Sequence, residues 1–295
     1  MSVRNELRQY LDSTGTPQSA VSRALGISPG YISQYLSDTF RGDKAKMDAS
    51  VKQLLERWQE RKQAPRLKVK FIMTSVARKV FETARICHLD GEMGAAYGDA
   101  GLGKTEAVKE YARRNSDTIL IEADAGYTAK DLFSELHQRS GIGDGRGRLH
   151  DLFTDIVKRM ENSGRLIIID EAENLPLRAL ELIRRVHDKA GVGILFCGMR
   201  RLISNLRGKK GEFAQIYSRI GIAANLQPLT SVDTEQIVSS LLPGSNGIHR
   251  TFHEASNSNT RVLSKLIRRS QRVAEINNCA ITPDIVLESS KSLII

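Results

Sequence analysis

The stretch GDAGLGKTEA (98–107) sets glycines at 98, 101 and 103 ahead of a lysine and a threonine at 104 and 105. A glycine, four residues and then Gly-Lys-Thr is the pattern of a phosphate-binding loop. Each residue type has a task in that chemistry. Gly98, Gly101 and Gly103 allow a tight turn whose backbone N–H groups converge on phosphate oxygens. A helix beginning near Lys104 adds the positive end of its dipole. Lys104 is expected to reach the β- and γ-phosphates, and the Thr105 hydroxyl to ligate Mg²⁺. A second signal lies 66 residues beyond Lys104, where RLIIIDEAENL (165–175) ends an apolar run on Asp170 and Glu171. Asp170 is expected to hold Mg²⁺ through water, and Glu171 to polarise an attacking water. No Asn/Thr-Lys-x-Asp run that would read guanine is present, since TAKD (128–131) has the wrong spacing. ATP is therefore the expected nucleotide.

These residues need strands to carry them. GAAYG, TILIEA, RLIIID, GILFCG and GIAANL are short apolar runs, the first four each followed by helical or mixed sequence. That alternation predicts a five-stranded parallel sheet covered on both faces, an α/β core. The core is expected over residues 71–228, with a helical lid over 229–295. In the lid, Arg261–Ile276 is amphipathic: Val262, Leu263, Leu266 and Ile267 share one face, and Arg261, Lys265, Arg268, Arg269 and Arg272 fall largely on the other. Thr282 and Pro283 read as the N-cap and first position of a last helix. Ahead of the core, 63–70 reads as a charged, Pro-bearing linker and 1–62 as a small all-α domain. Within the latter, TPQSAVSRALGISPGYISQYLSD (16–38) predicts helix, turn at Gly26, helix. It looks like a repressor-type helix-turn-helix, in which Gly30, Tyr31, Ser33, Gln34 and Tyr35 would face a DNA groove. A protein-docking module is the alternative.

The chain has 44 Lys+Arg against 34 Asp+Glu, a formal charge of +10 over 295 residues, which points toward a polyanionic partner. Two loops concentrate that charge. GIGDGRGRLH displays Arg146 and Arg148, and GMRRLISNLRGKKGEF carries Arg200, Arg201, Arg207, Lys209 and Lys210. Glycines beside basic groups suit close approach to a phosphate backbone, so Arg146, Arg148, Arg207, Lys209 and Lys210 are expected to contact double-stranded DNA. Few aromatics accompany them, which weakens a single-strand stacking role. Cys87, Cys197 and Cys279 have no metal-ligand spacing and fit reduced thiols of a cytosolic protein. Neither a secretory h-region nor a membrane-spanning run appears.

The phosphate loop, the Asp-Glu strand and the helical tail together resemble the AAA+ branch of phosphate-loop ATPases. The resemblance implies that residues 98–106 (Gly98, Asp99, Ala100, Gly101, Leu102, Gly103, Lys104, Thr105 and Glu106) line the nucleotide. It implies a lid arginine at Arg261 that senses the γ-phosphate, and an arginine offered to a neighbouring subunit, for which Arg219 in QIYSRIGIAANL is the candidate. A polar sensor residue is usual after the fourth strand, where this chain has Met199, and the glycine usual before the lid arginine is missing. The whole layout, with SNLRGKKGEFAQIYSRI as its most specific stretch, is similar to the family of bacteriophage Mu-type transposition B proteins. That likeness implies an ATPase stimulated by DNA and a transposase, and Met199, which cannot orient a water, implies that its hydrolysis is slow. The likeness further implies binding to duplex DNA with little sequence preference, assembly as a helical homo-oligomer, delivery of that DNA to the transposase, and residence in the cytoplasm of a bacterial host. Two alternatives stay open: an ATP-regulated, sequence-specific repressor, and a loader acting as a closed ring.

Overall fold

The computed structural model describes residues 2–63, 70–208, 214–244 and 247–293. The chain divides into two compact units, Met1–Leu67 and Lys68–Ile295. Among the described residues no helix is long and apolar enough to cross a membrane.

The first unit is helical: α1 (Val3–Thr14), α2 (Gln18–Leu25), α3 (Pro29–Leu36) and α4 (Lys44–Gln63). Its core gathers Leu7, Leu11, Val21, Ile32, Leu36, Val51, Leu54 and Leu55, with Trp58 of α4 packed 5.4 Å from the Tyr10 ring. Gly26 ends α2 with φ +68°, a left-handed turn that costs glycine little, and the Ile27 N–H closes it on the Ser22 carbonyl at 3.0 Å. Pro29 opens α3 as expected, but the Ser28 side chain makes no capping bond. Ser33 and Gln34 are exposed on α3. Tyr35, expected to face a groove, instead points inward: its ring is buried and its hydroxyl donates to Asp48. In a helix of only eight residues the inward face is set by Ile32 and Leu36, and Tyr35 lies between them. Helix α4 runs to Gln63, and residues 64–69 of the expected linker lie outside the described residues.

The second unit carries β1 (Met93–Tyr97), β2 (Thr118–Glu122), β3 (Leu166–Asp170), β4 (Gly193–Gly198) and β5 (Ile220–Asn225) in one sheet. All pairings are parallel, in the order β2-β3-β4-β1-β5. Helix α5 (Ser75–Asp90) precedes β1, and the helices between the strands are α6 (Lys104–Arg114), α7 (Ala129–Arg139), α8 (Leu149–Met160), α9 (Leu177–Ala190), α10 (Arg201–Arg207) and α11 (Ala214–Tyr217). Side chains alternate across a strand, so the unbroken apolar run of β3 supplies two cores. Ile167 and Ile169 pack with Leu132, Phe133, Ile156 and Ile183 of α7, α8 and α9. Leu166 and Ile168 pack with Val80, Ala84, Ala107 and Val108 of α5 and α6 on the opposite face. β5, at the edge, alternates half-buried Ile220, Ile222 and Ala224 with exposed neighbours. Four helices follow: α12 (Ser231–Leu241), α13 (His249–Ala255), α14 (Thr260–Ile276) and α15 (Pro283–Lys291), the last capped by Thr282.

The strand order decides where chemistry can sit. β4 separates β3 from β1, so the phosphate loop after β1 and the Asp170–Glu171 pair after β3 share the carboxyl edge of the sheet, two strands apart. In such sheets ligands bind outside that edge.

Candidate nucleotide-binding cleft

A cleft of about 1130 Å³ opens between that edge and the lid. The phosphate loop forms its floor, and two of its glycines have conformations that require glycine: Gly101 has φ +80° and Gly103 has φ +90°. Gly98 is required for another reason. Its φ is ordinary, but a Cβ there would approach the Leu226 carbonyl to 2.9 Å and a Leu102 methyl to 3.0 Å. The expectation that all three serve turning is thus corrected: Gly98 serves close packing. Lys104 is buried, and its ammonium donates to the carbonyls of Gly98 (2.9 Å) and Asp99 (2.7 Å), which keeps it against the loop. Asp99 leaves the floor sideways and takes a two-pronged ion pair from Arg200 (2.6 and 3.0 Å). The Arg200 hydrogen bonds hold the Asp99 carboxyl below the usual carboxylate range. Thr105 and Glu106 line the cleft beside Lys104.

On the acidic side, Asp170 is almost wholly buried and its Oδ1 accepts from the Glu171 N–H at 3.0 Å. Its Oδ2 is buried with no hydrogen-bond partner among the described residues. The thiol of Cys197 on the next strand is pushed well up in pKa, by burial first and by the Asp170 charge second. Glu171 has φ +51°, left-handed for a residue with a Cβ, and its exposed side chain reaches the cleft. Its Oε2 accepts from Asn174 at 3.2 Å. Glu173 turns the other way, buried, and its Oε2 accepts the Met199 N–H at 3.1 Å. A Cβ at Gly198 would sit 2.0 Å from that oxygen, so glycine is needed where β4 ends.

The lid closes the third side. The Asn259 side chain caps α14 through the N–H groups of Arg261 (3.0 Å) and Val262 (3.2 Å). The same side chain donates to the Ala100 carbonyl at 2.9 Å, and the Arg261 N–H donates to the Gly101 carbonyl at 3.1 Å. A Cβ on Gly101 would meet Asn259 at 2.3 Å, so this glycine serves the lid as well as the turn. Arg261, Lys265 and Arg268 line the cleft from one face of α14. Their spacing of four and three residues is a helix stripe. At a second contact of the lid with the core, Asp233 accepts from the Ser75 N–H and hydroxyl, both at 2.6 Å, and also accepts from the Thr230 N–H and hydroxyl. Burial alone would raise the Asp233 pKa; these hydrogen bonds outweigh it and hold the carboxyl below its usual range. Phe71, Ile72, Ala77, Ile237 and Leu241 make an apolar end to the cleft.

The other expected residues lie elsewhere. Arg219 precedes β5, whose first residue pairs with Met93, the first of β1, so it stands at the edge opposite the phosphate loop, roughly 13 Å of strand away. It is exposed and bonds Asp188 at 2.9 Å. Arg146 is exposed beside Asp144, Arg148 is the N-cap of α8, and Arg207 lies 4.9 Å over the Tyr217 ring. Lys209 and Lys210 lie outside the described residues. Sequence reasoning missed Asn174, Asn259 and the ties of Arg200 and Arg201. It put Lys265 and Arg268 on the polar face of their helix without assigning that face to the nucleotide.

A family model described as an AAA domain matches residues 88–206, the segment holding the phosphate loop, Asp170 and Glu171. Among solved structures, the ORC2 protein of Aeropyrum pernix, titled as ADPNP–ADP complexes, superposes with a TM-score of 0.58 at 16% identity. That match covers 78% of this chain and 70% of that one. The second unit is an AAA+ fold. The chain is also 28% identical over 245 residues to the Mu-like prophage FluMu DNA transposition protein B of Haemophilus influenzae, covering 80% of this chain and 84% of the relative. To the ATP-dependent target DNA activator B of Escherichia phage Mu it is 28% identical over 245 residues, covering 80% and 76%. Over four fifths of its length the chain is thus similar to transposition B proteins of the Mu type.

Proposed function

We propose that the chain is an ATP-dependent activator of target DNA: it binds ATP with Mg²⁺, assembles on duplex DNA with little regard to sequence, hands that DNA to a transposase, and lets go on hydrolysis. The observation that carries the reading is the cleft itself, in which the phosphate loop, Asp170–Glu171 and the cationic stripe of α14 face one space, in a chain so similar to a named ATP-dependent target DNA activator.

Bound ATP supplies the phosphoanhydride to be cleaved, and Mg²⁺ would screen its charge. The partnerless Oδ2 of Asp170 fits such a cation, because a buried carboxylate oxygen without a donor is costly and a hard divalent ion prefers oxygen. Thr105 is the second residue that would hold it. Lys104 exchanges loop carbonyls for phosphate oxygens. Glu171 takes the proton of a water whose oxygen bonds to the terminal phosphorus while the bond to the bridging oxygen breaks and its electron pair leaves on ADP. Arg261, Lys265 and Arg268 meet the phosphates from above.

Self-assembly has its own support. Arg219 stands outside its own cleft, so it is available to the nucleotide of a neighbouring copy, and releasing it from an exposed pair costs only about 0–1 kcal/mol. Each copy added in this way brings further basic groups to the duplex, and many weak phosphate contacts sum. Arg146, Arg148, Arg207, Lys209 and Lys210 are the proposed contacts, with Ser33 and Gln34 of α3 as a second set. Fluorescence anisotropy with a random-sequence duplex tests the reading. Lys104→Ala should abolish ATP-dependent binding, and wild-type binding by that variant contradicts the scheme. Wild-type binding confined to one operator sequence would support the repressor instead.

A further inference from the structure

Glu171 is not the end of the hydrogen-bond chain on the acidic side of the cleft. The Asn174 side-chain amide donates to the Ala123 carbonyl at 3.0 Å and to Glu171 Oε2 at 3.2 Å, while its oxygen accepts from an Arg201 guanidinium N–H at 3.1 Å. The partners fix which way the amide faces. A carbonyl can only accept and a guanidinium can only donate, so the group turned toward Glu171 is an N–H. The anchor is itself firm: Ala123, just past β2, donates its N–H to the Asp170 carbonyl at 2.9 Å. One oxygen of Glu171 is therefore pinned. The other has no hydrogen bond among the described residues, and Glu171 lines the cleft.

Arg201 stands behind this arrangement. It is the first residue of α10, it lines the cleft, and besides Asn174 it lies 3.8 Å from buried Glu173. Asn205, one turn on, donates to the Glu173 carbonyl at 3.0 Å, and Met199 donates its N–H to the Glu173 carboxylate. The start of the basic segment 200–219 is thereby fastened to the turn that carries the carboxylate. Methionine at 199 cannot orient a water, but its neighbours on either side of this turn can fix the group that does.

We propose that Asn174 is a positioning residue for Glu171, pinning one carboxylate oxygen so that the other addresses the water, and that Arg201 acts on the base through Asn174. The inference rests on the reading of Glu171 as the base. Steady-state ATP hydrolysis by single and double variants, with melting temperatures to confirm folding, tests it. Asn174→Ala should lower kcat about tenfold with KM for ATP within about twofold. Asn174→Asp keeps the size and the acceptor for Arg201 but offers Glu171 no donor, and should fall at least as far; Asn174→Gln should recover part of the loss. Arg201→Ala should cost less, and adding it to Asn174→Ala should cost nothing more. Losses that multiply in the double variant would overturn the role of Arg201. Normal kcat in Asn174→Ala and Asn174→Asp, with Glu171→Gln inactive, would overturn the proposal and leave the base standing. Normal hydrolysis by Glu171→Gln would overturn both.

Discussion

On the core side Arg200, just outside the cleft lining, forks onto Asp99, while on the cleft wall Arg201 is spent on Asn174 and Lys104 is held by two carbonyls. On the lid wall Arg261, Lys265 and Arg268 rise from one face of α14 with no ion pair among the described residues. The core cations are preorganised, each partner fixing an angle in the loop or in the turn after β3. The lid cations repel one another along a single helix, and an anion between the walls relieves that repulsion. On the proposed function the core sets geometry, while the lid supplies the charge that would respond to a polyphosphate.

Removing the free charges is the sharper way to break this contrast. Arg261→Ala combined with Arg268→Ala should weaken ATP about ten- to a hundredfold, since hydrogen bonds to charged groups contribute about 1.5–3 kcal/mol each before screening. Titration with a fluorescent ATP analogue reads the loss, and unchanged affinity would mean the lid wall does not face the phosphates. A smaller effect is expected at the Asp233 tie between the lid and the core. Asp233→Ala removes the N3 partner of the Thr230 capping box together with both Ser75 bonds, and should cost roughly 1–3 kcal/mol in denaturant melts near pH 7. The sign of its pH dependence follows from the depressed folded pKa. The contribution is complete above the unfolded value of about 3.9 and is lost as pH falls through the folded one, so wild type and variant should converge only below about pH 4.

What could be read without coordinates follows the same division. The five strands were legible because a sheet covered on both faces needs unbroken apolar runs, and β3 with its two cores is the clearest case. That Lys104, Thr105, Asp170 and Glu171 line one cleft was legible because each sits at a fixed offset from such a run. Residues whose role depends on contact across the fold were not. Asn259 meets Ala100 across 159 positions and Arg200 meets Asp99 across 101, so no local spacing marks either pair. Asn174 is only three positions from Glu171, yet its meaning lies in Ala123 and Arg201, both distant in sequence. Tyr35 was misplaced because an eight-residue helix leaves its inward face ambiguous until α4 supplies Asp48.

Electron microscopy of the protein on random-sequence duplex, with ATP, with ADP and without nucleotide, reaches the central claim most directly. The account predicts continuous protein coats on the DNA with ATP and bare duplex otherwise. Bare duplex under all three conditions, or equal coats whichever nucleotide is supplied, would contradict it.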